Sequence, residues 1–172
     1  DAATLANQAR TGFVLMDNTA YKAGFNKLTN TEWMWGSEII NDQSDGFGNF
    51  GAYMSRNYNS STIRTAPKAI YKPLFVKFPA SDVRTQNFDP TGLHTALALP
   101  SNFVKKLYTS QKFLAESTSS SLADVPYMRA GEMYLIEAEA LARGGNEPQS
   151  KIVFTLCCTS IFWSSVHYRN HG

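Results

Sequence analysis

Cysteine is almost missing from this chain: 172 residues contain only Cys157 and Cys158, side by side. Adjacent cysteines seldom bridge each other, and they lack the spacing of a zinc site or a CxxC redox pair, so they leave the compartment open. Charge is scarce as well. Only 17% of residues are charged, 16 basic against 14 acidic, for a net +2. No charge run or basic helix face is present, and nucleic acid is set aside as a partner. No apolar run approaches the ~18 residues of a membrane span. The chain opens at Asp1 without an initiator Met or a signal-peptide pattern, so it reads as a processed product or an internal fragment. It also lacks GxSxG, HExxH, Walker and GxGxxG signatures, and its three histidines are His94, His167 and His171. An enzyme is the lesser reading.

Aromatic residues are what the chain has in quantity: 11 Phe, 8 Tyr and 3 Trp, 13% in all, within a 43% hydrophobic composition. That is enough apolar material for the core of one ordinary domain. The charge distribution divides the chain near residue 150. Every acidic residue lies at or before Glu147, whereas 151–172 carry only Lys151 and Arg169.

Leu5, Ala9, Phe13 and Met16 recur at helical spacing in residues 1–30, with Gly12 weakening the middle. Tyr21, Phe25 and Leu28 follow on one face. A strand over Glu32–Ile40 and a long glycine-broken loop are expected across 31–62. Pro67–Phe78 reads as a helix interrupted at Pro73, and Phe103–Leu114 as one or two short strands. The strongest local signal is a helix over Asp124–Arg143. Asp124 would be its N-cap and Pro126 would lie in its first turn. Tyr134, Leu135, Ala138 and Leu141 form its buried stripe, and Gly144-Gly145 supplies the left-handed end. Asn146 would then cap a second helix, as in an antiparallel hairpin. Yet Ile152–Trp163 is β-branched, aromatic and free of acidic residues, so that second helix is not expected to continue.

Three groups of residues are candidate sites. Glu132 and Glu139 share a face of the predicted helix, with Glu137 off it, and all three read as a solvated surface rather than an acid/base pair. Asn41–Gly46 resembles the start of a calcium loop, but Ala52 stands where the bidentate Glu is needed, so Asp42 and Asp45 are turn formers. The third group is the aromatic-rich segment 31–62. Flat apolar rings beside amides and carboxylates suit the C–H faces and hydroxyls of a sugar. Trp33, Trp35, Tyr53 and Tyr58, with Asn41, Asp42, Asn57 and Asn59, have that composition. Trp35 is the leading candidate because Gly36 beside it leaves room. On a regular strand Trp33 and Trp35 would point the same way, and both would then serve the core.

Asp124–Asn146 resembles the D-x-P/I-x-x-R-x-x-E-x-Y-L-x-x-A-E-A helix of the SusD/RagB family of outer-membrane nutrient-binding lipoproteins. Asp124, Arg129, Glu132, Tyr134, Leu135, Ala138, Glu139 and Ala140 match it. Thr31–Gly36 resembles the family's E-x-x-W-G segment, Asp82 and Arg84 its D-x-R turn, and Gln111–Phe113 follows at the expected distance. The likeness covers residues 1–147 in order and stops near Gln149. It implies a partial SusD/RagB-like domain over 1–150 from the later half of a longer protein, followed by an anomalous 151–172 that fits an altered reading frame or a divergent terminus. It also implies a mainly α fold of tetratricopeptide-like helical hairpins, with long irregular loops and at most a few short strands. Function follows as binding of an oligosaccharide or other nutrient at the outer-membrane surface, beside a SusC-like TonB-dependent transporter. No chemical step, cofactor or metal is implied, and the ligand-binding set is Trp35, Trp33, Tyr53, Tyr58 and Asn57. A helical-repeat module that binds only protein is the alternative, and a hydrolase would need a carboxylate pair in a cleft.

Overall fold

A computed structural model describes residues 1–44 and 48–161, with side chains to Thr159. Asp45, Gly46, Phe47, His167, His171 and the end of the tail lie outside the described residues. The fold is mainly α with a few short strands, as expected. Among the described residues three helices exceed two turns: α1 (Ala2–Arg10), α6 (Ala130–Arg143) and α7 (Glu147–Ile161). Between α1 and α6 the chain makes the short helices α2 (Asn18–Lys22), α3 (Phe50–Met54), α4 (Ser61–Thr65) and α5 (Lys72–Phe75). Among the described residues the strands form two antiparallel ribbons. Strand β1 (Trp33–Ser37) pairs with β4 (Val125–Arg129), and β2 (Phe88–Asp89) pairs with β3 (Thr109–Ser110).

Helix α1 starts where the Asp1 carboxylate accepts the amides of Ala3 and Thr4, and it ends before Gly12, whose φ of +90° requires glycine. Its partner is α6. The contact is polar at its centre. Arg10 Nε donates to Glu137 Oε2 at 2.7 Å, Asn7 Nδ2 donates to Oε1 at 3.0 Å, and the guanidinium lies 3.9 Å from the Tyr134 ring centre. Glu137 is therefore buried rather than solvated. The stripe of α6 is rotated from the expected one: Ala130, Met133, Glu137 and Ala138 are buried, while Leu135 is 48% exposed. An internal ion pair displaced a leucine from the buried face, which hydrophobic spacing alone does not register.

The start of α6 also differs from expectation. Residues 125–129 are extended because they pair with β1, so the helix begins at Ala130. Asp124 is not its N-cap; its carboxylate accepts from the amides of Leu28 at 2.7 Å and Ile39 at 2.9 Å, fastening both flanks of β1. The far end follows the sequence. Gly145 has φ +81°, its amide bonds Ala142 O, and the Asn146 amide bonds Leu141 O. Asn146 Oδ1 then accepts the Gln149 amide. Helix α7 does continue, contrary to the reading of Ile152–Trp163, and it runs to Ile161. Ser150, Val153 and Cys157 lie at spacings of three and four; Val153 and Cys157 are buried, and Ser150 Oγ donates to Ala138 O at 2.7 Å. Packing on α6 overrides weak propensity here. Pro73 likewise begins a helix, α5, instead of interrupting one.

The core gathers Met16, Tyr21, Phe25, Trp33 and Val83, with Phe113 against it. Glu32 sits among these residues with no solvent exposure. Its Oε2 accepts the Met16 amide at 2.9 Å, and its Oε1 accepts the Gly131 amide at 3.3 Å and Arg129 Nη1 at 3.5 Å. The carboxylate thus occupies the positive end of α6. Asp82 and Arg84, the D-x-R pair, form a two-pronged ion pair that caps the 3-10 turn Val83–Asn87. Gln111 joins that turn through its amide to Asn87 O and its Nε2 to Gln86 O. Next to it, Lys112 Nζ lies 4.6 Å from the Phe25 ring centre, 5.1 Å from Phe113 and 5.9 Å from Tyr21. Burial pulls this ammonium down to about 8, Arg129 adds to the fall, and Glu32 opposes it.

Three outcomes follow from this packing. A Cβ on Gly131 would stand 2.8 Å from Glu32 Oε1. Gly131→Ala is therefore expected to lower stability in urea titration by about 1–2 kcal/mol, although alanine is the better helix former. Leu135→Ala should stay within about 0.5 kcal/mol of the parent, whereas Met133→Ala should cost about 2–5 kcal/mol. The folded Lys112 value lies below that of an unfolded lysine, about 10.4. Between these values the unfolded chain holds a proton that the folded chain has shed, so stability rises with pH through the window. Urea midpoints from pH 7.5 to 10 should show the parent gaining on Lys112→Met; a constant difference would remove Lys112 from the ring cluster.

Candidate functional site

The β1–β4 ribbon decides which tryptophan faces solvent. Trp33 pairs with Arg129 and Trp35 with Met128, so β1 advances two residues while β4 advances one. Gly36 then pairs with Pro126, which restores the count. The irregularity breaks the alternation that would have placed both rings on one side. Trp33 is 5% exposed in the core, and Trp35 is 61% exposed. Trp33 is thereby committed to the fold and offers no ring face to a ligand.

Trp35 is not alone on the surface. Tyr127, the β4 residue left without a register partner between Pro126 and Met128, stands edge-on to it with ring centres 5.1 Å apart and planes at 64°. The Ser37 hydroxyl donates to the Tyr127 hydroxyl oxygen at 2.8 Å, which fixes the tyrosine ring. Gly36 cannot carry a side chain here, since a Cβ would lie 2.7 Å from Val125 O. Its role is close strand approach, not space for a ligand. Tyr127 falls within the helix expected over Asp124–Arg143, so the sequence does not single it out. The signal that could have found it was Val125-Pro126, a pair that favours extended backbone.

Tyr127 also lines a concavity of about 430 Å³ between β4, α6 and α7. Phe113, Pro126, Leu135 and Cys157 form most of its apolar wall, and Glu32, Arg129 and Glu132 supply the polar groups. Glu32 is buried and already occupied. Burial pushes the Cys157 thiol up to about 11, with Cys158 and Glu32 adding to the effect, so it stays protonated at neutral pH. The site offers exposed ring faces beside a largely apolar hollow.

The other sequence candidates lie apart from this pair. Tyr53, on α3, is exposed, and Tyr58 is half-buried; neither makes a ring contact with Trp35 or Tyr127. Asn57 clasps Ala115, donating from Nδ2 to its carbonyl at 2.8 Å and accepting its amide at 3.0 Å, so its amide is occupied by the backbone. Asn41 and Asp42 lie in an exposed 3-10 turn. His94 is buried, with its ring nitrogens against Gln111 Oε1 and Thr109 Oγ1, and it closes the loop after β2. Among the described residues no three His, Cys, Asp or Glu side chains gather as a metal site, and no helix is long and apolar enough to cross a membrane.

No protein-family model and no curated protein matches the sequence. Solved structures do. A SusD-like carbohydrate binding protein from Bacteroides vulgatus superposes with a TM-score of 0.69 at 26% identity, covering 96% of this chain and 34% of its own. A SusD superfamily protein from Bacteroides thetaiotaomicron gives 0.62 at 15% identity, covering 94% and 36%. Surface glycan-binding protein A from the same organism, in complex with laminarihexaose, gives 0.59 at 14% identity, covering 95% and 44%. The chain therefore spans between about a third and just under half the length of these neighbours. In its motifs and in its fold the chain is SusD-like.

Proposed function

We propose that the chain is the glycan-contacting part of a surface nutrient-binding protein, and that the Trp35–Tyr127 pair is its contact. One observation carries this reading. Two exposed rings, one held by a hydrogen bond, stand at an angle beside a concavity of about 430 Å³. An exposed aromatic pair with hydroxyls at hand suits a pyranose ring better than it suits a charged ligand. The SusD-like neighbours, one of them holding laminarihexaose, support a carbohydrate as the ligand. Tyr53 and Tyr58 are secondary contacts in this proposal. The longer protein would sit at the outer-membrane surface as a lipoprotein and pass its ligand to a SusC-like TonB-dependent transporter, with α6 and α7 as one tetratricopeptide-like hairpin.

Binding without catalysis is the favoured mode. The two carboxylates that line the concavity are Glu32 and Glu132, and Glu32 is bound to two amides and Arg129 with no solvent contact. A general acid or base needs to reach its substrate's proton, which this group does not. The protein-interaction alternative draws on the exposed Leu135, Ile136, Ile152, Phe154 and Leu156 of α6 and α7.

Affinity-gel retention against a panel of polysaccharides, laminarin included, tests the reading. Trp35→Ala and Tyr127→Ala should each weaken retention by about ten-fold with little change in melting temperature. Trp33→Ala should instead lower stability by about 3–5 kcal/mol. Retention of no polysaccharide, or equal retention by both surface variants and the parent, would leave the interaction module as the better account.

A further inference from the structure

The concavity beside the ring pair is chemically unlike a sugar site. A sugar ring carries hydroxyls on most of its carbons, and each one taken from water needs a hydrogen-bond partner. The hollow has few partners to give. Both Glu32 oxygens are occupied by the Met16 and Gly131 amides and by Arg129. The Cys157 thiol lies 3.7 Å from Gly131 O and is buried. Only Arg129 and Glu132 retain solvent contact among the charged lining groups. The rest of the wall is ring, proline and leucine carbon, which rewards an apolar guest by the area it removes from water.

The Tyr127 ring belongs to both places. It lines the hollow and stands edge-on to Trp35 outside it. One ligand spanning both would put a sugar face on the exposed rings and an apolar group inside. A volume of about 430 Å³ falls within the range of small-molecule pockets, roughly 300–1,000 Å³. Resting on the glycan-binding reading above, we propose that the site takes glycosides whose sugar bears an aromatic or alkyl substituent, with the sugar on Trp35 and Tyr127 and the substituent in the hollow walled by Phe113, Pro126 and Leu135.

Matched pairs of methyl and phenyl glycosides of glucose, galactose, mannose and xylose, titrated by ligand-observed NMR, test this directly. At least one phenyl glycoside should bind about ten-fold more tightly than its methyl partner. Leu135→Glu, at an exposed helix position, should remove the phenyl-over-methyl affinity ratio in a variant whose helix content matches the parent's. Trp35→Ala should weaken both members of the pair. Equal binding within every pair overturns the proposal and leaves glycan binding standing. An advantage that survives Leu135→Glu in a folded variant overturns it too, by removing the hollow as the substituent's seat. Polysaccharide retention with no phenyl glycoside bound also rejects it, whereas loss of both kinds of binding rejects the underlying reading as well.

Discussion

The Glu32 carboxylate, sealed from solvent at the positive end of α6, ties together segments that are far apart in sequence. Met16, Gly131 and Arg129 all hydrogen-bond to it, and its own carbonyl accepts the Ala130 amide at 2.9 Å. Removing such a group from water costs several kcal/mol, and the cost is met only where charge-assisted bonds surround it. Its position next to Trp33 fixes the start of β1, and its bond to Gly131 fixes where the extended β4 turns into helix. The ribbon between those points, and with it the placement of Trp35 and Tyr127, is determined by this one group. Gly131 is part of the same constraint, since any side chain there would press on the carboxylate.

The chain uses several of its few charges in this internal way. Arg10 meets Glu137 between α1 and α6, Asp82 meets Arg84 under the 3-10 turn, and Arg129 and Lys112 lie over the Phe25 ring. Charges placed inside are lost to the surface of a protein that is only 17% charged. Leu135, Ile136, Ile152 and Leu156 are accordingly exposed along α6 and α7, and Trp35 and Tyr127 along the ribbon. The apolar surface and the buried ion pairs are two sides of one allocation.

What could be read in advance was local chemistry. The left-handed Gly145 and the Asn146 cap follow from short-range patterns, and the D-x-R pair from the family resemblance. The errors involve partners distant in sequence. Val125–Arg129 looked like the first turns of a helix because its ladder partner lies about ninety residues earlier. Glu137 looked solvated because Arg10 is supplied by another helix. Helix α7 looked unlikely on propensity, yet Val153 and Cys157 meet α6 at the spacing of successive turns. Composition singles out Trp35, which is exposed, but Gly36 beside it serves close strand approach and does not make room for a ligand. Tyr127 became visible only when the ribbon did.

The same allocation bears on what the surface can recognise. A site whose carboxylate is already bound, and whose rings are exposed, gains little from long-range electrostatic steering. Its attraction comes from area and ring geometry, which are short-ranged and weakly sensitive to salt. In the proposed site, fixing the angle between the rings would give selectivity, because a flat sugar face and an apolar appendage would have to meet them together. The bond from Ser37 to Tyr127 and the paired irregularities of β1 and β4 set that angle before any ligand arrives. Under the proposed function that rigidity of the ribbon would serve recognition, with Glu32 supplying it from behind.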